Sequence, residues 1–163
     1  MVQCTIENAA QVIHVGIGQA VVAGKTTHLV ATLGASVGLS LYSPADQVGI
    51  LAHIVLPHTN HRTAMPAKYA DIAVPYMVDL LRQRGARTVG LVAKLVGGAC
   101  MFGDKEVGQI GDATVATVLQ SLQVAEIMLS GSDVGGTGGR RITFSAEDGS
   151  MNVQAFGVPA FTL

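Results

Sequence analysis

The chain has 163 residues, of which 49% are apolar and 13% are charged, so its length predicts one domain spanning residues 1–163. Ten basic and eleven acidic residues leave a formal net charge of −1, which argues against nucleic acids and anionic membranes as partners. A soluble domain usually carries roughly 25% charged residues, so part of this surface is predicted to be neutral and to meet a protein partner.

Two features indicate the compartment. Cys4 and Cys100 are too few for a disulfide scaffold, and residues 1–13 lack a basic region followed by an apolar signal core. The uncharged stretch Thr26–Ala45 is long enough to cross a membrane as a helix, but its Thr, Ser and Gly content favours buried strands around a turn. We therefore expect a cytoplasmic protein without membrane insertion.

Short runs rich in Val, Ile, Leu or Thr predict most of the secondary structure. The predicted strands are Ile13–Gly16, His28–Leu33, Val37–Tyr42, Val48–Leu56, Thr88–Leu95, Val124–Leu129, Arg141–Ser145 and Met151–Gln154. The segment Ala146–Ser150 is predicted to be a hairpin turn between the last two strands, and His58–Ala67 a surface loop.

Two segments have helical periodicity. The first is Ala70–Arg84, where Pro75 requires either that the helix begins near Val74 or that it is kinked. The second is Ala113–Gln123, with Asp112 placed to cap its N-terminus. Because the strands outnumber the helices, the pattern predicts an α/β or α+β fold of layered sheets flanked by helices.

Two apparent ligand motifs fail on spacing. The segment from Gly18 to Thr26 has five residues between its glycines, one more than a phosphate-binding loop requires, and a strand rather than a helix follows it. A metal site from His53, His58 and His61 is conceivable, but His58 and His61 lie in the polar loop with no cysteine or carboxylate at ligand spacing, so we favour solvated histidines over ligands. We expect no cofactor and no metal.

A third group of residues could carry nucleophilic chemistry. Ser36 lies in a Gly-containing turn between two apolar strands, which can present a hydroxyl and neighbouring N–H groups to a carbonyl. His53 is central to an apolar strand and is therefore expected to be partly buried. Taken alone, a serine in a turn and a histidine in a strand are more often structural.

A resemblance to a known family changes that balance. Its motifs are LYSPADQVGILAHIVLP (41–57), KYAD (68–71), AKLVGGACMF (93–102), IGD (110–112) and SDVGG (132–136). In this order and rough spacing they resemble the chemoreceptor glutamine deamidase family, CheD, and the resemblance extends from Val15 to Gly149.

The resemblance implies a fold, an activity and partners. CheD proteins are cytoplasmic enzymes of bacterial and archaeal chemotaxis that convert chemoreceptor glutamines to glutamate, and they bind a CheC-type phosphatase. Their fold is similar to the cysteine-hydrolase fold of deamidating toxins, with two packed sheets flanked by helices. Chemoreceptor helices and a CheC-type phosphatase are therefore the implied partners.

The resemblance also assigns a catalytic site. His53 corresponds to the family's catalytic histidine, and Ser36 to its nucleophilic cysteine. The family's catalytic threonine falls on Val30 without a gap, whereas a two-residue deletion brings Thr32 to that position. We take Thr32 as the residue that orients His53, with Val30 as the alternative.

The serine leaves more than one function open. A hydroxyl is much less acidic than a thiol, so acylation is expected to be slow unless the site was rebuilt. Ser36 is then an engineered change, a slow natural nucleophile, or the mark of a docking module that has lost catalysis. We predict Cys100 to be a buried structural thiol rather than a relocated nucleophile.

Overall fold

The computed structural model describes residues 10–163, so Cys4 lies outside the described part. The strands are β1 Gln11–His14, β2 Ala20–Ala23, β3 Thr27–Leu33, β4 Val37–Ser43, β5 Val48–Ile54, β6 Val92–Gly97, β7 Met128–Val134, β8 Arg140–Ser145, β9 Met151–Ala155 and β10 Phe161–Thr162. The helices are α1 Ala70–Gln83 and α2 Lys105–Val124, with short 3₁₀ turns at Pro66–Lys68 and Met101–Gly103.

The strands form two five-stranded sheets. The first has the order β1-β3-β8-β9-β10 and the second β2-β5-β4-β6-β7, with parallel pairs only at β1/β3 and β6/β7 among the described residues. The predicted mixed α/β class of layered sheets flanked by helices is confirmed. Neither described helix is long and apolar enough to span a bilayer, and Thr26–Ala45 contributes β3 and β4 as predicted.

Two apolar cores hold the three layers together. One lies between the sheets and contains Leu29, Leu51, Ile142 and Phe144, all fully buried. The other lies between the second sheet and the two helices. Because side chains alternate along a strand, β4 and β5 supply residues to both cores.

Several predicted elements agree closely with the structure. The strands predicted at His28–Leu33, Val37–Tyr42, Arg141–Ser145 and Met151–Gln154 differ from β3, β4, β8 and β9 by at most one residue at either end, and the Ala146–Ser150 turn joins β8 to β9 as predicted. The strand predicted at Val48–Leu56 ends two residues earlier, at Ile54.

The second helix begins earlier than predicted, whereas the first begins at Ala70 as predicted. Helix α2 starts at Lys105, and its cap is Asp104, whose carboxylate accepts from the N–H groups of Glu106 and Val107 at 3.0 and 3.3 Å. The prediction that Asp112 caps this helix is therefore wrong. Helix α1 starts at Ala70, so it does not begin near Val74 and Pro75 lies inside it.

The glycines in the first turns of α2 explain why the start of this helix was predicted too late. Glycine lowers helix propensity, so Gly108 and Gly111 conceal these turns in the sequence pattern. Both are needed for packing: a Cβ on Gly108 would lie 2.7 Å from Cys100 Sγ, and one on Gly111 would lie 3.1 Å from the carbonyl oxygen of Gly98.

Three predicted strands are displaced along the chain. The first, predicted at Ile13–Gly16, lies at Gln11–His14. Those predicted at Thr88–Leu95 and Val124–Leu129 are observed as β6 and β7, which begin at Val92 and Met128. Val124 still belongs to α2, because its helical turn continues to that residue before the chain reverses. The strands β2 and β10 were not predicted, since four and two residues give too short an alternation.

Candidate active site

Ser36 and His53 are brought together by the antiparallel pairing of β4 and β5. The chain leaves the first sheet at the end of β3, turns through residues 34–36, and enters the second sheet as β4. Gly38 in β4 is registered with His53 in β5. Ser36 lies just before this pair, and its Oγ is 2.7 Å from Nε2 of His53.

Both side chains point into the rim of the space between the sheets. Val37 and Leu39 pack toward the helices, so Ser36 and Gly38 face the first sheet. A Cβ on Gly38 would lie 2.5 Å from Cδ1 of Ile142, which shows how closely the first sheet approaches here. Ser36 is partly exposed, whereas His53 is only 5% exposed.

The surroundings of His53 favour its neutral form. Burial lowers the pKa of the imidazole, and the hydrogen bond with the Val15 carbonyl acts in the opposite, weaker sense. The carbonyl lies 3.3 Å from Nδ1 and can only accept, so we assign the proton to Nδ1. Nε2 then has a free lone pair directed at the Ser36 hydroxyl, as a general base requires.

The structure does not bring Thr32 to His53. Leu29, Ala31 and Leu33 of β3 belong to the core between the sheets, so by alternation Thr32 points to the outer face of the first sheet, where it is exposed. The prediction that Thr32 orients His53 is corrected by this geometry: the Val15 carbonyl contacts Nδ1 instead. The alternative residue, Val30, has no hydroxyl to offer.

Main-chain hydrogen bonds fix the turn that carries Ser36. Gly98 N–H donates to the Ser36 carbonyl at 2.9 Å, and Ala99 N–H donates to the Gly34 carbonyl at 3.1 Å. Gly97 has a φ of 115°, and a Cβ there would collide with the Ser36 carbonyl oxygen. Only glycine fits both the backbone conformation and the close approach.

The segment of residues 135–136 forms hydrogen bonds to residues 97 and 100, next to those that fix the Ser36 turn. Cys100 N–H donates to the Gly136 carbonyl at 2.8 Å, and Gly135 N–H donates to the Gly97 carbonyl at 2.9 Å. The segment is held by Arg140, which is 8% exposed and forms a two-pronged ion pair with Asp133 at 2.9 and 3.2 Å. The same guanidinium also donates to the carbonyls of residues 135 and 138.

The turn also offers unused main-chain donors. The N–H groups of Ala35 and Ser36 are not donors in any backbone hydrogen bond formed within residues 10–163. They belong to the same turn as the Ser36 hydroxyl. Such N–H groups can stabilise the oxyanion that forms when a hydroxyl attacks a carbonyl carbon.

The remaining candidate side chains lie elsewhere. Cys100 is partly exposed rather than buried as predicted; it lies just before the 3₁₀ turn that precedes α2, and its Sγ is 3.4 Å from the Asp104 carbonyl oxygen. His58 lies 3.8 Å from Asp71, and the His61 ring packs edge-on against Tyr69. Residues 10–163 contain no group of three side chains arranged to hold a metal ion.

Comparison with known proteins identifies the family. A family model described as CheD chemotactic sensory transduction matches residues 55–155. A protein of Moorella thermoacetica, named probable chemoreceptor glutamine deamidase CheD, is 41% identical over 133 residues, which cover 78% of this chain and 80% of that protein. The chain belongs to the CheD family.

Two further CheD relatives extend the similarity over more of the chain. The chemoreceptor glutamine deamidase CheD of Thermotoga maritima is 35% identical over 88% of this chain and 91% of its own length. The probable chemoreceptor glutamine deamidase CheD of Desulforamulus reducens is 35% identical over 90% of this chain and 92% of its own length. The CheD family model begins at residue 55, so both Ser36 and His53 precede the segment that it matches.

Proposed function

We propose that this chain hydrolyses glutamine side-chain amides of chemoreceptors to glutamate and ammonia, with Ser36 as nucleophile and His53 as general base. The observation that carries the proposal is the 2.7 Å contact between Ser36 Oγ and Nε2 of the buried His53, whose ring proton we assign to Nδ1. Membership of the CheD family supports the substrate, because the curated relatives are named chemoreceptor glutamine deamidases.

The proposed acylation uses groups that already lie together. Ser36 Oγ attacks the carboxamide carbon while His53 Nε2 takes the hydroxyl proton. The N–H groups of Ala35 and Ser36 stabilise the oxyanion. When the tetrahedral intermediate collapses, the imidazolium returns its proton to the nitrogen, the C–N bond breaks, and ammonia leaves an acyl ester on Ser36.

Deacylation repeats the same proton transfers with water. His53 removes a proton from a water molecule as its oxygen attacks the ester carbon, and then returns the proton to Ser36 Oγ. The products are the glutamate side chain and the free hydroxyl. Because a serine hydroxyl is far less acidic than a thiol, acylation is the step that we expect to limit the rate.

A second function is a docking module of the chemotaxis machinery that binds receptors or a CheC-type phosphatase without catalysis. Two features favour this alternative: serine stands in the nucleophile position, and only 13% of the residues are charged. In both cases the proposed setting is the cytoplasm, where the chemoreceptor helices are the partner.

The deciding experiment measures deamidation directly. A purified receptor fragment is incubated with the wild-type protein, Ser36→Cys and Ser36→Ala, and mass spectrometry counts glutamines converted to glutamate. We expect slow conversion by the wild type, conversion at least about tenfold faster by Ser36→Cys, and none by Ser36→Ala. Ser132→Cys, which places a thiol on the exposed face of β7, is the matched control and should behave as the wild type.

The outcomes separate the two functions. Conversion by Ser36→Cys alone would indicate an intact site that Ser36 disables, which favours the docking module. An absence of conversion by both the wild type and Ser36→Cys would refute the enzyme proposal. Equal conversion by the wild type and Ser36→Ala would exclude Ser36 as the nucleophile.

A further inference from the structure

A tight turn formed by residues 16–19, just before β2, makes hydrogen bonds with both the N–H and the C=O group of His53, the proposed base. Gln19 N–H donates to the Gly16 carbonyl at 3.0 Å and closes the turn, with Gly18 at a φ of 72°. Gly18 N–H then donates to the His53 carbonyl at 2.8 Å, and His53 N–H donates to the Gln19 carbonyl at 3.0 Å. The position of His53 therefore depends on this turn.

The side chain of Gln19 acts on the same turn through one peptide group. Its Oε1 accepts the N–H of Gly16 at 2.9 Å, and it lies 3.1 Å from the point that a Cβ on Gly16 would occupy. The peptide that carries this N–H also carries the Val15 carbonyl, whose oxygen lies 3.3 Å from His53 Nδ1. Since a peptide group is planar, fixing its N–H also fixes its C=O.

We infer that Gln19 is a positioning residue for the base. Its amide oxygen holds the Val15–Gly16 peptide so that the carbonyl accepts Nδ1–H and leaves Nε2 free for Ser36. A hydrogen-bonded chain thus runs from Gln19 Oε1 through one peptide to the imidazole, and bonds in such a chain polarise one another. The peptide supplies the orientation that the sequence had led us to expect from Thr32.

This inference rests on the proposed function for its catalytic consequence, but the state of the ring can be measured without any substrate. Nitrogen-15 NMR of the imidazole distinguishes the tautomer with the proton on Nδ1 from the one with the proton on Nε2. We expect the Nδ1–H tautomer to dominate in the wild type and to lose population in Gln19→Ala. Gln19→Glu keeps an acceptor oxygen for Gly16 N–H and should preserve the wild-type tautomer.

The matched control is Gln123→Ala, which removes an exposed glutamine near the end of α2. It should leave the tautomer unchanged, and far-ultraviolet circular dichroism should show that all variants are folded. A wild-type ring that carries its proton on Nε2 would overturn the inference. So would a Gln19→Ala protein with the wild-type tautomer population.

Kinetics on a receptor fragment supply the second readout. In a protein that deamidates, as wild type or as Ser36→Cys, we expect Gln19→Ala to lower kcat about tenfold with KM within about twofold, and Gln19→Glu to restore it. An unchanged kcat would contradict the positioning role. If no form deamidates, the proposed function fails, and the NMR result still decides whether Gln19 fixes the ring.

Discussion

Ser36 Oγ contacts His53 Nε2 directly at 2.7 Å, although the two residues lie 17 positions apart in the chain. The contact arises because β4 and β5 pair in antiparallel register and both side chains face the first sheet. A proton can therefore pass from the hydroxyl to the imidazole without an intervening group. The same contact makes the site sensitive to the protonation state of a single histidine.

The pH dependence of deamidation should report that histidine. Burial lowers the pKa of His53 below its usual value of 6.5, so the imidazole stays neutral at neutral pH and becomes protonated only in more acid solution. We expect kcat/KM, which reports groups of the free protein, to be level at neutral pH and to fall in acid solution, with a midpoint below pH 6.5, as His53 takes up a proton. The measurement is a pH–rate profile on a receptor fragment.

The variant His53→Gln tests the assignment of this pH effect. It should lower kcat by at least about 10²-fold, the usual contribution of a general base, and its residual rate should show no inflection near the wild-type pKa. Replacing the exposed His61 by Gln is the matched control and should leave the profile unchanged. A His53→Gln protein with the wild-type rate would remove His53 from the mechanism.

The correction at Thr32 has its own test. Because this side chain points to the outer face of the first sheet, Thr32→Val should leave kcat and KM within about twofold of the wild type, and stability should change by less than about 0.5 kcal/mol. Steady-state kinetics and urea unfolding measure the two effects. A large loss of kcat in this variant would restore Thr32 as the orienting residue.

Gly97→Ala should damage the site as well as the fold. The added Cβ meets the Ser36 carbonyl oxygen, so the turn must move, and we expect a loss of about 3 kcal/mol of unfolding free energy. Gly90→Ala is the matched control: its φ is also positive, at 78°, but nothing lies within 4 Å of the new methyl group. That variant should lose about 1 kcal/mol and keep its deamidation rate.

The ion pair between Arg140 and Asp133 should be worth far more than an exposed one. Arg140→Ala leaves a carboxylate without its partner in a partly buried position, so we expect a loss of about 3 kcal/mol and a fall in Tm of about 6 to 12 °C. Arg82→Ala breaks the exposed pair with Asp79 and should cost less than about 1 kcal/mol. Equal Tm values for the two variants would contradict this reasoning.

Much of the fold followed from local sequence patterns. In β3, β4 and β8, apolar residues alternate with polar ones or run continuously over six or seven positions, so these strands were predicted closely. The β8–β9 turn was predicted from its Asp148 and Gly149. The first turns of α2 were missed because glycines needed for packing hide the helical signal. Here tertiary contact outweighed propensity.

The site followed only in part. The turn and strand pattern made Ser36 and His53 candidates, resemblance to the CheD family assigned their roles, and the structure brings both together. The contact between the Val15 carbonyl and His53 had no sequence signature, because a backbone carbonyl is the same in every residue and only the turn directs it. The Gly-Ile-Gly string at 16–18 was the one available signal of that turn.

Main-chain hydrogen bonds join the segments around Ser36: residues 34–36, 97–100 and 135–136 exchange N–H and C=O contacts. A frame of this kind is indifferent to the chemistry of the side chain that it displays at residue 36. A single codon change can therefore exchange thiol for hydroxyl without refolding the surroundings. Nucleophiles of different strength can therefore be compared at residue 36 on the same scaffold.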